Sequence, residues 1–256
     1  MPNSIRRSAS PPVRRALAPL GVFALALAVS AGAAFAAPRP QSADTGQIAG
    51  TIYFQGKKPV LHVINMGKDS VCASLHSAPV YSQDGQVNAN GTLPNAFIFV
   101  KQSSATLPSA PPRAPSTLTQ KGCEYAPHVV GVMVGQPFEV INLDPTTHNI
   151  HVMPKRNREW NVSQQPGSPS VVRRFTAPEV MIPARCNVHP WMKAYIGVVS
   201  NPFYAVTGAK GGYTLKNLPS GDYTIEVWTA DFGVQERHVV MTAGKTSTQN
   251  FTFENH

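Results

Sequence analysis

The chain is poor in charge, sulfur and helical pattern. Charged residues make up 14% of its 256 positions, and there are three cysteines and seven scattered methionines. No stretch repeats apolar residues at the helical period, which excludes a helical bundle or coiled coil. After the first 36 residues no run approaches the ~20 apolar residues that a spanning helix needs, so no membrane span is expected in the mature chain. Glycine-rich phosphate cradles, nucleophile elbows and zincin helices are missing as well, and no enzymatic activity is expected.

What is present begins with an address. A basic start (Arg6, Arg7, Arg14, Arg15) precedes the apolar run Leu20 to Val29, and Ala34 and Ala36 then offer a cleavage point. Residues 1–36 are therefore read as a signal peptide and the mature chain as exported, periplasmic or extracellular. The pair Arg14-Arg15 fits a twin-arginine signal poorly, which leaves the export route open. Without the four leader arginines, 18 basic residues face 13 acidic ones, a charge of +5. That is mildly basic and no footprint for nucleic acid. The remaining 220 residues suffice for one large or two small domains.

Twenty-four prolines and nineteen glycines argue for strands joined by turns. The segment Ile48 to Phe54 alternates as a half-buried strand does, with Ile48, Gly50, Ile52 and Phe54 on one side. Further strands are expected at 96–100, 138–143, 149–153 and 194–200. Between Ser103 and Thr119 the prolines at 108, 111, 112 and 115 predict a long exposed loop. The C-terminal part alternates strands and turns: Gly211-Gly212, then 213–218, Pro219-Ser220-Gly221, then Tyr223, Ile225 and Val227 on one face, with strands at 238–241 and 251–253.

Three cysteines are an odd number in an exported chain. Cys72 and Cys123 lie outside the motif around Cys186 and are free to form a disulfide, with two separate buried thiols as the alternative. Cys186 is then the spare thiol. It opens the run Cys186-Asn-Val-His189-Pro-Trp-Met192, and His148 lies upstream at the start of a strand. Two imidazoles, a thiolate and a long axial thioether make a type 1 copper site. Thiolate and thioether suit Cu(I), and imidazole suits both oxidation states. A single turn presents Cys186, His189 and Met192 to one point; the fourth ligand must come from a neighbouring strand. His148 shares its face with apolar Ile150 and Val152, whereas His151 shares its face with Asn149 and Met153, so His148 is preferred. One type 1 copper is the expected cofactor.

Two resemblances follow. The run GGYTLKNLPSGDYTIEVW resembles the carboxypeptidase regulatory-like, transthyretin-like module, and GTIYFQGKKP at 50–59 looks like the first strand and turn of such a module. The region 95–200 resembles the plastocyanin and azurin family of cupredoxins, above all the amicyanin type, with its Cys-x-x-His-Pro-x-Met loop and His-Asn-x-His run. The resemblance implies His148, Cys186, His189 and Met192 as ligands, with Asn149 bracing the ligand loop near the sulfur. It also implies an exposed histidine edge in an apolar patch, here Pro190 and Trp191, where a redox partner docks. The expected fold is all-β: a cupredoxin-like Greek-key sandwich at 78–200 and a smaller transthyretin-like sandwich at 201–256. Residues 37–77 form an N-terminal strand region that is open to membership of the C-terminal sandwich, which would make the copper part an insertion.

Lys155, Arg156, Arg158, Arg173, Arg174 and Arg185 lie between the ligands and offer a basic ring for an acidic redox partner. The remaining histidines, 62, 76, 128, 238 and 256, have no partner at ligand spacing; His128, just before an expected strand, is the one to check. A single-electron carrier is the expected function. A copper-handling protein would favour a methionine-rich, exchangeable site, and a surface-binding module would make the copper site secondary or vestigial. An oxidase would need further copper centres built from His-x-His pairs, and none occurs.

Overall fold

The computed structural model describes residues 45–255. The expected signal peptide therefore lies outside the described residues, and among these no helix is long and apolar enough to cross a membrane. In chain order the strands are β1 Thr45–Gln55, β2 Phe97–Ser103, β3 Ser116–Lys121, β4 Glu124–Ala126, β5 Val129–Met133 and β6 Phe138–Asn142. They continue as β7 His148–Val152, β8 Trp160–Gln164, β9 Val171–Arg173, β10 Glu179–Arg185 and β11 Lys193–Val199. The last six are β12 Tyr204–Val206, β13 Gly212–Pro219, β14 Gly221–Thr229, β15 Gly233–Met241, β16 Thr246–Thr248 and β17 Phe251–Glu254. One short helix, α1 Ser70–Ser74, lies between β1 and β2.

The protein is all-β, with two sandwiches. In the first, β1 pairs antiparallel with β13 and parallel with β16 and β17, and this sheet faces the order β12-β2-β14-β15. Alternation decides which side chains go inward: Ile48, Ile52 and Phe54 of β1 meet Ile98, Ile225, Val227, Phe251 and Phe253 in one core. Both ends of the described chain thus meet in one sandwich. β2 belongs to it too, although it lies within the 78–200 span expected for the copper part.

The second sandwich is formed between β2 and β12 in sequence. Its sheets are ordered β5-β11-β10-β7-β8 and β4-β3-β6-β9, and Leu118, Phe138, Val140, Ile150, Val152, Ile182 and Ile196 fill the space between them. β3 starts at Ser116, so the proline-rich loop is shorter than expected. A third cluster, Phe97, Phe99, Val129, Met133 and Val199, joins the two sandwiches. Gly131 and Gly197 make that junction possible. A Cβ at Gly131 would lie 2.2 Å from the Tyr204 ring, and one at Gly197 2.5 Å from Phe97.

The stretch between β1 and β2 crosses the second sandwich. Met66 and Cys72 sink into its core, and a disulfide joins Cys72 to Cys123 in the β3–β4 turn with Cα atoms 5.6 Å apart. Asp69 caps α1, its carboxylate accepting from the Cys72 N–H at 2.9 Å.

Candidate metal centre

β7 begins at the end of the second sandwich where β10 stops, and this brings two separate pieces of sequence together. His148, Ile150 and Val152 are all fully buried on one face of β7. His151 turns outward and contacts Glu159 at 2.6 Å. After β10 the chain turns tightly. The Cys186 N–H donates to the Met192 carbonyl (3.2 Å) and the Met192 N–H to the His189 carbonyl (2.9 Å), closing the 186–192 loop over the sheet end.

Cys186, His189, His148 and Met192 are each no more than 2% exposed. One ring nitrogen from each histidine and the Cys186 sulfur lie within 4.8 Å of one another. The two Nδ1 atoms are 2.9 Å apart, and Cys186 Sγ is 3.8 Å from that of His189. The Cys186 sulfur accepts from the N–H groups of Asn149 (3.5 Å) and His189 (3.4 Å). Asn149 braces the loop: its Oδ1 accepts from the Asn187 N–H, its Nδ2 donates to Asn161, and its carbonyl accepts from the Tyr125 hydroxyl at 2.5 Å. Burial, helped by the nearby Cys186, pushes the Tyr125 phenol far above its ordinary range. Met192 is packed in the same core as Cys186.

The other ring nitrogens explain the facing pair. His148 Nε2 lies 2.8 Å from Asp144 Oδ2, and His189 Nε2 lies 3.0 Å from Asp69 Oδ2. A carboxylate only accepts, so each Nε2 donates a proton to its aspartate and the two Nδ1 atoms are left facing each other and the sulfur. Asp69 is held anionic: the Cys72 N–H, and then the His189 contact, pull its pKa down. Burial, the largest influence on His148, pushes its pKa down, against the pull of the Asp144 contact. The 2.9 Å between the two Nδ1 atoms suits either a single shared proton, as N–H···N, or a cation held between the rings and the sulfur. Two imidazoles and a cysteine sulfur are donors that copper takes in either oxidation state, and Met192 lies in the same core.

Asp69 and Asp144 were not foreseen from the sequence. Asp144, four residues before His148, was within reach of a local reading; Asp69 is 120 residues from its histidine. The resemblance implied an exposed histidine edge, and here the structure differs: His189 is 2% exposed, covered by Asp69 and by Trp191, whose ring is 5.1 Å away. Trp191 is half-buried and donates its indole N–H to the Cys123 carbonyl at 3.0 Å; Pro190 and Val188 are the exposed apolar neighbours. The basic residues are all exposed but do not ring the site. Lys155, Arg156 and Arg158 sit in the turn beyond the far end of β7, Arg174 donates to Gly135 and Arg173 lies over Trp160, leaving Arg185 as the one beside the loop. His128 is buried apart from the site, between the Lys193 carbonyl and Asp84.

Residues 192–254 match the model of the carboxypeptidase regulatory-like domain. Among solved structures the chain is similar to a copper-containing nitrite reductase from Thermus scotoductus SA-01 (24% identity, TM-score 0.32), covering 38% of this chain and 25% of that one. It thus spans a quarter of that reductase's length. It is also similar to a purple cupredoxin from Nitrosopumilus maritimus (18% identity, TM-score 0.28, 32% of this chain and 98% of that one). A Cu(I)-form amicyanin variant matches at 16% identity and TM-score 0.30, over 40% of this chain and 97% of that one. No curated protein matches the chain.

Proposed function

We propose that this protein binds one type 1 copper through His148, Cys186, His189 and Met192 and works as an exported single-electron carrier. The observation that carries the reading is the pair of buried Nδ1 atoms 2.9 Å apart, facing each other beside a free, buried cysteine. Bound copper would supply the one-electron couple. The chain's own contribution is to hold four donors in a rigid, dry pocket, so that little has to rearrange when the charge changes. The Asn149 and His189 N–H groups orient the sulfur, and the 186–192 turn fixes the spacing.

Burial of every donor argues against a site that exchanges metal readily. No second metal or substrate is required, and no enzymatic activity is assigned. A redox partner would approach through Val188 and Pro190, the exposed apolar residues flanking His189. The disulfide suits an oxidising, extracytoplasmic compartment.

The test is to add Cu(II) to purified protein and record visible and EPR spectra. An intense thiolate-to-copper band, lost in Cys186→Ser and kept in His151→Ala, is expected. A colourless solution would overturn the reading. Reversible voltammetry with slow loss of copper to a chelator is expected of a carrier; rapid loss would favour a copper-handling role.

A further inference from the structure

Each histidine carboxylate has a second job, and the two jobs meet at one covalent bond. Asp69 accepts from the Cys72 N–H at 2.9 Å while its other oxygen meets His189 Nε2 at 3.0 Å. Asp144 accepts from the Cys123 N–H at 2.7 Å with the same oxygen that meets His148 Nε2 at 2.8 Å, and its second oxygen takes the Gly122 N–H at 2.7 Å. The disulfide between Cys72 and Cys123 therefore joins the two carboxylate anchors. Its sulfurs also lie within 4.8 Å of a His189 ring nitrogen.

We propose that Asp69 and Asp144 are paired positioning residues. Anchored beside the two ends of the Cys72–Cys123 disulfide, they hold both imidazoles with Nδ1 toward the metal position and bias a bound copper toward Cu(II). The first effect is geometric: an imidazole whose far N–H is held by a carboxylate is fixed in tautomer and ring orientation and becomes a more basic ligand. The second is electrostatic. Two carboxylates beside a thiolate add negative charge around a buried cation, which favours its more highly charged state. Asp144, with a side chain 4% exposed, acts more strongly than Asp69 at 28%. The disulfide makes the arrangement a unit, because losing it releases both anchors together.

The electrostatic half rests on the copper reading; the geometric half does not. Nitrogen-15 NMR of the metal-free protein should show both His148 and His189 protonated at Nε2. Replacing both cysteines (Cys72→Ser with Cys123→Ser) should loosen both rings at once. A wild-type ring protonated at Nδ1 instead, or rings unaffected by loss of the disulfide, would overturn the proposal even in a protein that binds no copper.

With Cu(I) and Cu(II) as probes, Asp69→Asn keeps the helix cap but removes the charge. It should raise the ratio of Cu(I) to Cu(II) affinity roughly tenfold, ~59 mV for a one-electron couple. Asp69→Glu should restore most of it, and Asp144→Asn, if it folds, should shift the ratio further. A merely structural role would leave the potential unmoved, and an unmoved potential in a copper-binding Asp69→Asn protein overturns the proposal.

Discussion

The two sandwiches fill their interiors differently. In the one that contains both β1 and β17, the buried Thr207 and Asn201 side chains each close gaps in the backbone pairing. Thr207 Oγ1 donates to the Leu93 carbonyl and accepts from the Ala96 N–H, and Asn201 donates to the Val100 carbonyl. In the other, Gln120, Asn142, Asp144, His148, Gln164 and His189 are all buried toward one end and bonded in sequence to one another. A buried polar group costs folding free energy unless it is paired, so such a concentration is retained for something other than packing. The chain of contacts ends at the two facing imidazoles beside the Cys186 sulfur, the donor types that a copper ion takes.

The contrast is open to breakage from both sides. Phe251→Ala opens a fully buried site in the first core and should cost about 3–5 kcal/mol in a denaturant melt, leaving the copper spectrum of the folded fraction unchanged. A shifted spectrum would mean that the sandwiches are coupled through the Phe97 cluster. Replacing both disulfide cysteines by serine should cost about 2–4 kcal/mol and also disturb the site, because the bond closes a 51-residue separation directly over His189. Copper at a hundredfold over its Kd should stabilise the wild type by about 2.7 kcal/mol and Cys186→Ser by far less, with the gain seen as hydrogen-exchange protection in β7 and β10. The smallest effect belongs to His151→Ala: loss of the surface pair with Glu159 should change stability by less than about 1 kcal/mol and leave copper affinity as it was.

Much of this arrangement was legible in the sequence where period and spacing coincide. Strand parity separated His148 from His151, and the C-terminal alternation marked β13, β14 and β17. β10 was not legible, because Pro183 stands inside it and proline reads against a central strand. β5, Val129–Met133, is buried along its whole length, so the strand expected after His128 was legible only as an apolar run, without alternation to give it a face. The cover over His189 was hidden for another reason. It comes from a non-repetitive stretch held by the Cys72–Cys123 disulfide; that pairing was among the expectations, but no local pattern says that it lays Asp69 over His189. The same distance hid Asp69, and with it the reason the two histidines face each other.

Copper K-edge X-ray absorption of the loaded protein tests the central claim most directly. One copper per chain, with a single short sulfur and two imidazole nitrogens in its nearest shell, is the predicted result. A shell of nitrogen and oxygen alone, unchanged in Cys186→Ser, would contradict it.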